Sequence, residues 1–117
     1  MNVLSLDDHY EDIAPLLKAF FAGDSLCFTK TPAEARRKLE QQKFDLVVLD
    51  GDLGAGGSGP DVLRSWKARD MVLPPVVMFS ADAVMRTEGI EAGAMAAIAK
   101  DTCSFEDFEQ VKQRIAS

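Results

Sequence analysis

Five polar side chains stand out because each follows a short apolar run. Asp7 and Asp8 come after Val3-Leu4-Ser5-Leu6, Asp50 after Leu46-Val47-Val48-Leu49, Ser80 after Pro75-Val76-Val77-Met78-Phe79, and Lys100 after Ala96 to Ala99. Three carboxylates gathered at one place repel one another. At ~4 Å and an effective dielectric near ~20, each like-charge pair costs up to about 4 kcal/mol before relaxation. Such a cluster persists when carboxyl pKa values rise or when a cation sits among the oxygens. Oxygen donors without His or Cys select Mg2+ or Mn2+ over zinc. A cation with few protein ligands and open water positions suits phosphoryl binding. In that chemistry Asp50 is the candidate phosphoryl acceptor. Mg2+, Lys100 and Ser80 would neutralise the equatorial phosphoryl oxygens in the transition state. Ala81, next to Ser80, leaves room for the group.

The intervening segments must bring these residues together. The first apolar run reads as a strand. After it, Ile13, Leu16, Leu17, Phe20 and Phe21 fall on one helical face. Pro15 interrupts that face and is tolerable in a first turn, so the helix is expected to start near Tyr10 to Asp12 and to end at Gly23-Asp24. Leu26-Cys27-Phe28 reads as a short edge strand. Thr31-Pro32-Ala33-Glu34 is a capping box with Pro at the first helical position, opening a helix to about Gln42. The run 46–49 has no alternation, as expected of a parallel strand covered on both faces. A glycine-rich loop, Gly51 to Gly59, leads to a third helix from about Pro60 with Val62, Leu63 and Trp66 on one face. The fourth strand, Pro75 to Phe79, precedes a weak helix to Glu91 or Ala92. The small-residue strand 96–99 follows, and Ser104-Phe105-Glu106-Asp107 caps a last helix with stripe Phe105, Phe108, Val111 and Ile115. Five βα units predict an α/β fold: a doubly wound five-stranded parallel sheet with its site at the carboxyl ends of the strands. Asp45 precedes its strand and falls at the opposite end, with a solvated or capping role.

Composition agrees with one globular domain over 1–117. The 117 residues are 47% apolar and 27% charged. A domain of this size buries roughly two-thirds of its unfolded surface without a metal or disulfide staple. Lys+Arg 13 against Asp+Glu 19 gives a net charge of -6, which repels nucleic-acid backbones and anionic lipid. No apolar stretch suffices for a membrane span, and the N-terminus lacks the basic region of a signal peptide, so a cytoplasmic location is expected. Cys27 and Cys103 lack metal-ligand spacing and read as small reduced hydrophobes. His9 reads as exposed, and Trp66 as packing.

Taken together, Asp7-Asp8, Asp50, Ser80-Ala81 and Lys100, each at its strand end and in this order, make the whole chain resemble the receiver domain of two-component response regulators. The resemblance implies a flavodoxin-like (βα)5 fold with strand order 2-1-3-4-5. It implies that Asp50 takes a phosphoryl group from a phosphohistidine of a sensor histidine kinase or histidine phosphotransfer protein. It implies Mg2+ held by Asp8 and Asp50 directly, by Asp7 largely through water, and by the backbone carbonyl of Asp52. A downstream protein target would dock on the face made by the fourth helix, fifth strand and fifth helix. The domain would act as a slowly self-dephosphorylating switch rather than a turnover enzyme, as a monomer or weak homodimer, without direct nucleic-acid or membrane contact. Unless the chain is a piece of a longer protein, its effect is expected to run through a partner rather than an output domain after Ser117.

Four departures from the family pattern carry information. Gly54 stands where a proline is usual. Gly59, opening the third helix, comes one residue late. Lys100 is followed by Asp101 rather than proline. Ala97 replaces the aromatic residue that ordinarily reports phosphorylation, so either the fourth-helix region signals differently or the protein is a relay that passes phosphate on. Three rival readings remain on the residues. A receiver-like docking module without phosphorylation is disfavoured because every acceptor-site residue is present. Leu49-Asp50-Gly51-Asp52 resembles the D-x-D motif of haloacid-dehalogenase-type phosphatases, but it ends the third strand rather than the first. Gly54 to Gly59 fits G-x-G-x-x-G, but without a second nucleotide-binding half.

Overall fold

The computed structural model describes residues 1–117. Five strands, β1 (Asn2–Leu6), β2 (Ser25–Thr29), β3 (Leu46–Asp50), β4 (Val76–Ser80) and β5 (Ala96–Ala99), alternate with five helices, α1 (Tyr10–Phe20), α2 (Pro32–Gln41), α3 (Gly59–Ala68), α4 (Ala83–Glu91) and α5 (Phe105–Ala116). All strand pairs are parallel, in the order β2-β1-β3-β4-β5. The doubly wound parallel α/β sheet is the one the spacing of apolar runs predicts, and its strand order is the one the resemblance implies.

Side chains of the central strands alternate between two cores. Leu4, Leu6, Val47, Leu49, Val76 and Met78 face one layer with Ala35 of α2 and Val62, Leu63 and Trp66 of α3. Val3, Leu46, Val48, Val77 and Phe79 face the other, with Ile13, Leu17 and Phe20 of α1 and Phe108 and Val111 of α5. Covering both faces is why β3 and β4 are buried at every position. Cys27 packs on the first core and Cys103 on the second, so the two thiols lie against opposite faces of the sheet.

Helix termini follow the sequence signals with local differences. The Thr31 hydroxyl accepts from the Glu34 N–H at 3.2 Å, but the Glu34 carboxylate reaches one residue further back, to the Lys30 N–H at 3.0 Å. The Asp107 carboxylate accepts from the Ser104 N–H at 2.9 Å and closes the box opening α5. Helix α1 does start at Tyr10, yet this puts Pro15 inside the helix, past the first turn. Burial of Ile13, Leu17 and Phe20 offsets the missing N–H there. Pro75 lies just outside β4, and its carbonyl accepts from the Val47 N–H at 2.9 Å. Phe105 begins the α5 stripe but stays 58% exposed, leaning edge-on against Phe20. Asp45 receives the Asn2 N–H at 2.7 Å, the capping role expected of it.

Candidate functional site

Sheet register decides which side chains meet. Asp50 pairs with Phe79, and Ser80 with Ala99, so Asp50, Ser80 and the residue after Ala99, Lys100, emerge at one edge of the sheet. Asp7 and Asp8 leave β1 at the same end, beside β3. A cleft there is lined by Asp7, Asp8, Asp50, Asp52, Ser80, Ala81 and Lys100, together with Asp12, Asp82 and Met85. Every site residue expected from the sequence borders it.

Its charges are tightly interlocked. Carboxylate oxygens of Asp7, Asp8 and Asp50 lie within 4.8 Å of one another. The Lys100 ammonium sits 2.8 Å from Asp7 Oδ2 and 3.2 Å from Asp50 Oδ1. Burial, reinforced by the neighbouring Asp7 charge and only partly offset by Lys100, pushes the Asp50 carboxyl up to about 6. Burial works against the Lys100 ammonium, but the Asp7 hydrogen bond and the two acidic charges outweigh it and hold its pKa above the ordinary lysine value.

Hydrogen bonding separates the acids by role. Both oxygens of Asp7 are engaged, Oδ1 by the His9 N–H at 2.8 Å and Oδ2 by Lys100. Asp8 is freer, with the exposed His9 ring 3.5 Å from Oδ2. On Asp50, Oδ1 takes Lys100 and a long 3.4 Å bond from the Asp52 N–H, while Oδ2 has no protein donor. The exposed Asp52 carboxylate accepts from the Gly54 N–H at 2.9 Å, folded back on its own loop. That orientation argues against the D-x-D phosphatase reading, in which the second acid must face the reacting group. Gly59 lets the start of α3 approach β3: a Cβ there would collide with the Asp50 carbonyl oxygen. The glycine-rich segment between them forms a short 3-10 turn, Gly54–Gly56, over a buried Leu53.

Hard oxygen donors at this separation, with one cation balancing them, fit a small divalent ion such as Mg2+ and offer no soft ligand for zinc. Sequence reasoning missed Arg86, whose guanidinium donates to the Ser80 carbonyl at 2.8 Å. Six positions separate the two, and no motif marks the pair.

The family model for the response regulator receiver domain matches residues 3–114. The chain belongs to that family. The receiver is 30% identical over 114 residues, 96% of its length, to the swarming motility regulation protein RssB of Serratia marcescens. The chain spans about half of that relative's length, 52%. Among solved structures, a two-component response regulator from Clostridium difficile superposes with a TM-score of 0.82 at 22% identity, covering 99% of this receiver and 95% of that chain. The BeF3-activated N-terminal receiver domain of Klebsiella pneumoniae RstA gives a TM-score of 0.82 at 20% identity, with both chains covered over 100%. No helix of the receiver is long and apolar enough to cross a membrane.

Proposed function

We propose that the receiver is a phosphoacceptor switch in which Asp50 takes a phosphoryl group from a phosphohistidine. The observation that carries this reading is the position of Lys100, within 3.2 Å of Asp50 and 2.8 Å of Asp7 at the carboxyl edge of the sheet. Oδ2 of Asp50, without a protein donor, attacks phosphorus; the O–P bond forms as the P–N bond to the donor imidazole breaks. The Lys100 ammonium and the Ser80 hydroxyl bind phosphoryl oxygens, and Ala81 leaves the space they need. Asp8 and Asp50, with Asp7 and the Asp52 backbone carbonyl in support, would hold Mg2+, which supplies charge neutralisation for the phosphoryl group when bound. Water attack on the acyl phosphate then returns Asp50 slowly to its free form, so the domain is a timed switch and not a turnover enzyme.

The donor is a sensor histidine kinase or a histidine phosphotransfer protein, and the output is a downstream protein meeting the face of α4, β5 and α5. A cytoplasmic site of action fits both partners. Acetyl phosphate with Mg2+ tests the reading by intact mass. Wild type should gain one phosphoryl group and Asp50→Ala none. Unmodified wild type would leave the docking-module reading, and sustained release of phosphate from a generic substrate would leave the phosphatase one.

A further inference from the structure

Helix α4 has little apolar hold on the domain. Its one buried residue is Gly89, which lies so close to Met78 that a Cβ would stand 2.7 Å from Met78 Cγ. Val84 and Ile90 are 61% and 47% exposed. Beyond Met85 packed at Gly51, the first turn is held by a closed ring of polar contacts on one residue, Ser80. The Ser80 hydroxyl accepts from the Asp82 N–H at 3.1 Å. The Asp82 carbonyl accepts from the Arg86 N–H at 3.1 Å. The half-buried Arg86 guanidinium returns to the Ser80 carbonyl at 2.8 Å, and that carbonyl also takes the Lys100 N–H at 3.2 Å. Ser80 thus meets α4 through both its side chain and its backbone. On β5, Ala97 sits opposite Met78 and offers no ring that could swing between strand and helix.

We infer that Arg86 is the positioning residue that couples α4 to Ser80, so that the state of Asp50 is read as a displacement of α4 without an aromatic residue at position 97. The inference rests on the phosphoacceptor reading of Asp50 and Ser80. As an acceptor from Asp82, the Ser80 hydroxyl keeps its own proton to donate to a phosphoryl oxygen. Drawn toward that oxygen, Ser80 pulls on the Asp82 amide through Oγ and on Arg86 through its carbonyl. The charge-assisted Arg86 bond is the stronger of the two links. The helix turns about its other attachment, where Gly89 rests on Met78. Arg86 touches neither the acceptor nor the cation-holding acids; its action is on the helix.

Amide shifts of the full chain, with and without beryllofluoride and Mg2+, test this in wild type, Arg86→Met and Arg86→Lys, with a bound 19F signal reporting occupancy. At saturation, wild type should shift residues 82–90 together with Asp50 and Lys100. Arg86→Met should keep the Asp50 and Lys100 shifts and lose those of 82–90, and Arg86→Lys, which retains a donor, should recover part of them. A full α4 response in Arg86→Met overturns the inference. So does a wild-type α4 that stays still while 19F shows an occupied site, a result that favours the relay. If Arg86→Met unravels α4 in the free state, Arg86→Lys decides: recovery supports the coupling, and an intact helix with no response overturns it. Failure of wild type to bind beryllofluoride overturns the phosphoacceptor reading itself, and the coupling falls with it.

Discussion

A Cβ built on Gly54 would stand 2.9 Å from Oδ2 of Asp8, and Gly54 holds φ at +61°. The position where the family ordinarily has proline is therefore closed to proline and strained for any L side chain. The loop leans directly on an acid of the proposed cation site. Gly54→Ala should displace the Asp8 carboxylate and weaken Mg2+ binding by about tenfold, equal to about 1.4 kcal/mol. Isothermal titration with Mg2+ measures it. An unchanged affinity would show that the loop does not set the position of Asp8.

Asp50 gives the domain a pH-dependent stability. Its carboxyl rises from 3.8 to about 6 on folding, so between those values the native state binds more protons than the unfolded chain. Stability therefore falls as pH rises through that window and stays lower above it. The difference corresponds to up to about 3 kcal/mol. Asp50→Asn should stabilise the metal-free protein at pH ~8 by up to that amount and leave it nearly unchanged at pH ~4. Urea midpoints in EDTA at the two pH values check the sign.

Lys100 is the one cation that offsets the acids at the site. In Lys100→Met the repulsion from Asp7 is no longer countered, and the Asp50 carboxyl should titrate above its present value of about 6. A 13C titration of the Asp50 carboxyl in both proteins reads the shift directly. A lower value in the variant would mean that the ammonium does not govern this carboxylate.

The Ser5 hydroxyl is fully buried on β1 and has no hydrogen-bond partner. Its backbone carbonyl, by contrast, accepts from the Thr29 hydroxyl at 2.7 Å. Removing an unpaired buried hydroxyl while leaving that bond intact should be neutral or stabilising by about 1 kcal/mol. Ser5→Ala is expected to raise the denaturant midpoint; a fall would show that Oγ is satisfied in solution.

The sequence carried the sheet because burial on both faces leaves a plain trace: β3 and β4 are unbroken apolar runs ending at Asp50 and Ser80. The acids and Lys100 were legible for the same reason, since each terminates such a run. What escaped were features set by three-dimensional approach. Pro15 sits deeper in α1 than a propensity rule allows because the helix is fixed by its apolar face. Phe105 has helical spacing, yet lies at the end of α5 where the core has run out. The return of the exposed Asp52 carboxylate to its own loop and that of Arg86 to Ser80 depend on loop and rotamer geometry that no spacing encodes.

On one side of the sheet, Phe108 of α5 stacks on Phe20 of α1 and meets Phe21 and Phe79 edge-on, binding two helices and a strand into a single aromatic block. On the opposite side, α4 brings a single buried residue, Gly89, down onto Met78, beside the alanine-rich β5. The domain thus has a stiff flank and a compliant one. A force applied at Asp50 finds its yield point on the compliant flank, while the buried aromatic block keeps the rest of the frame in place.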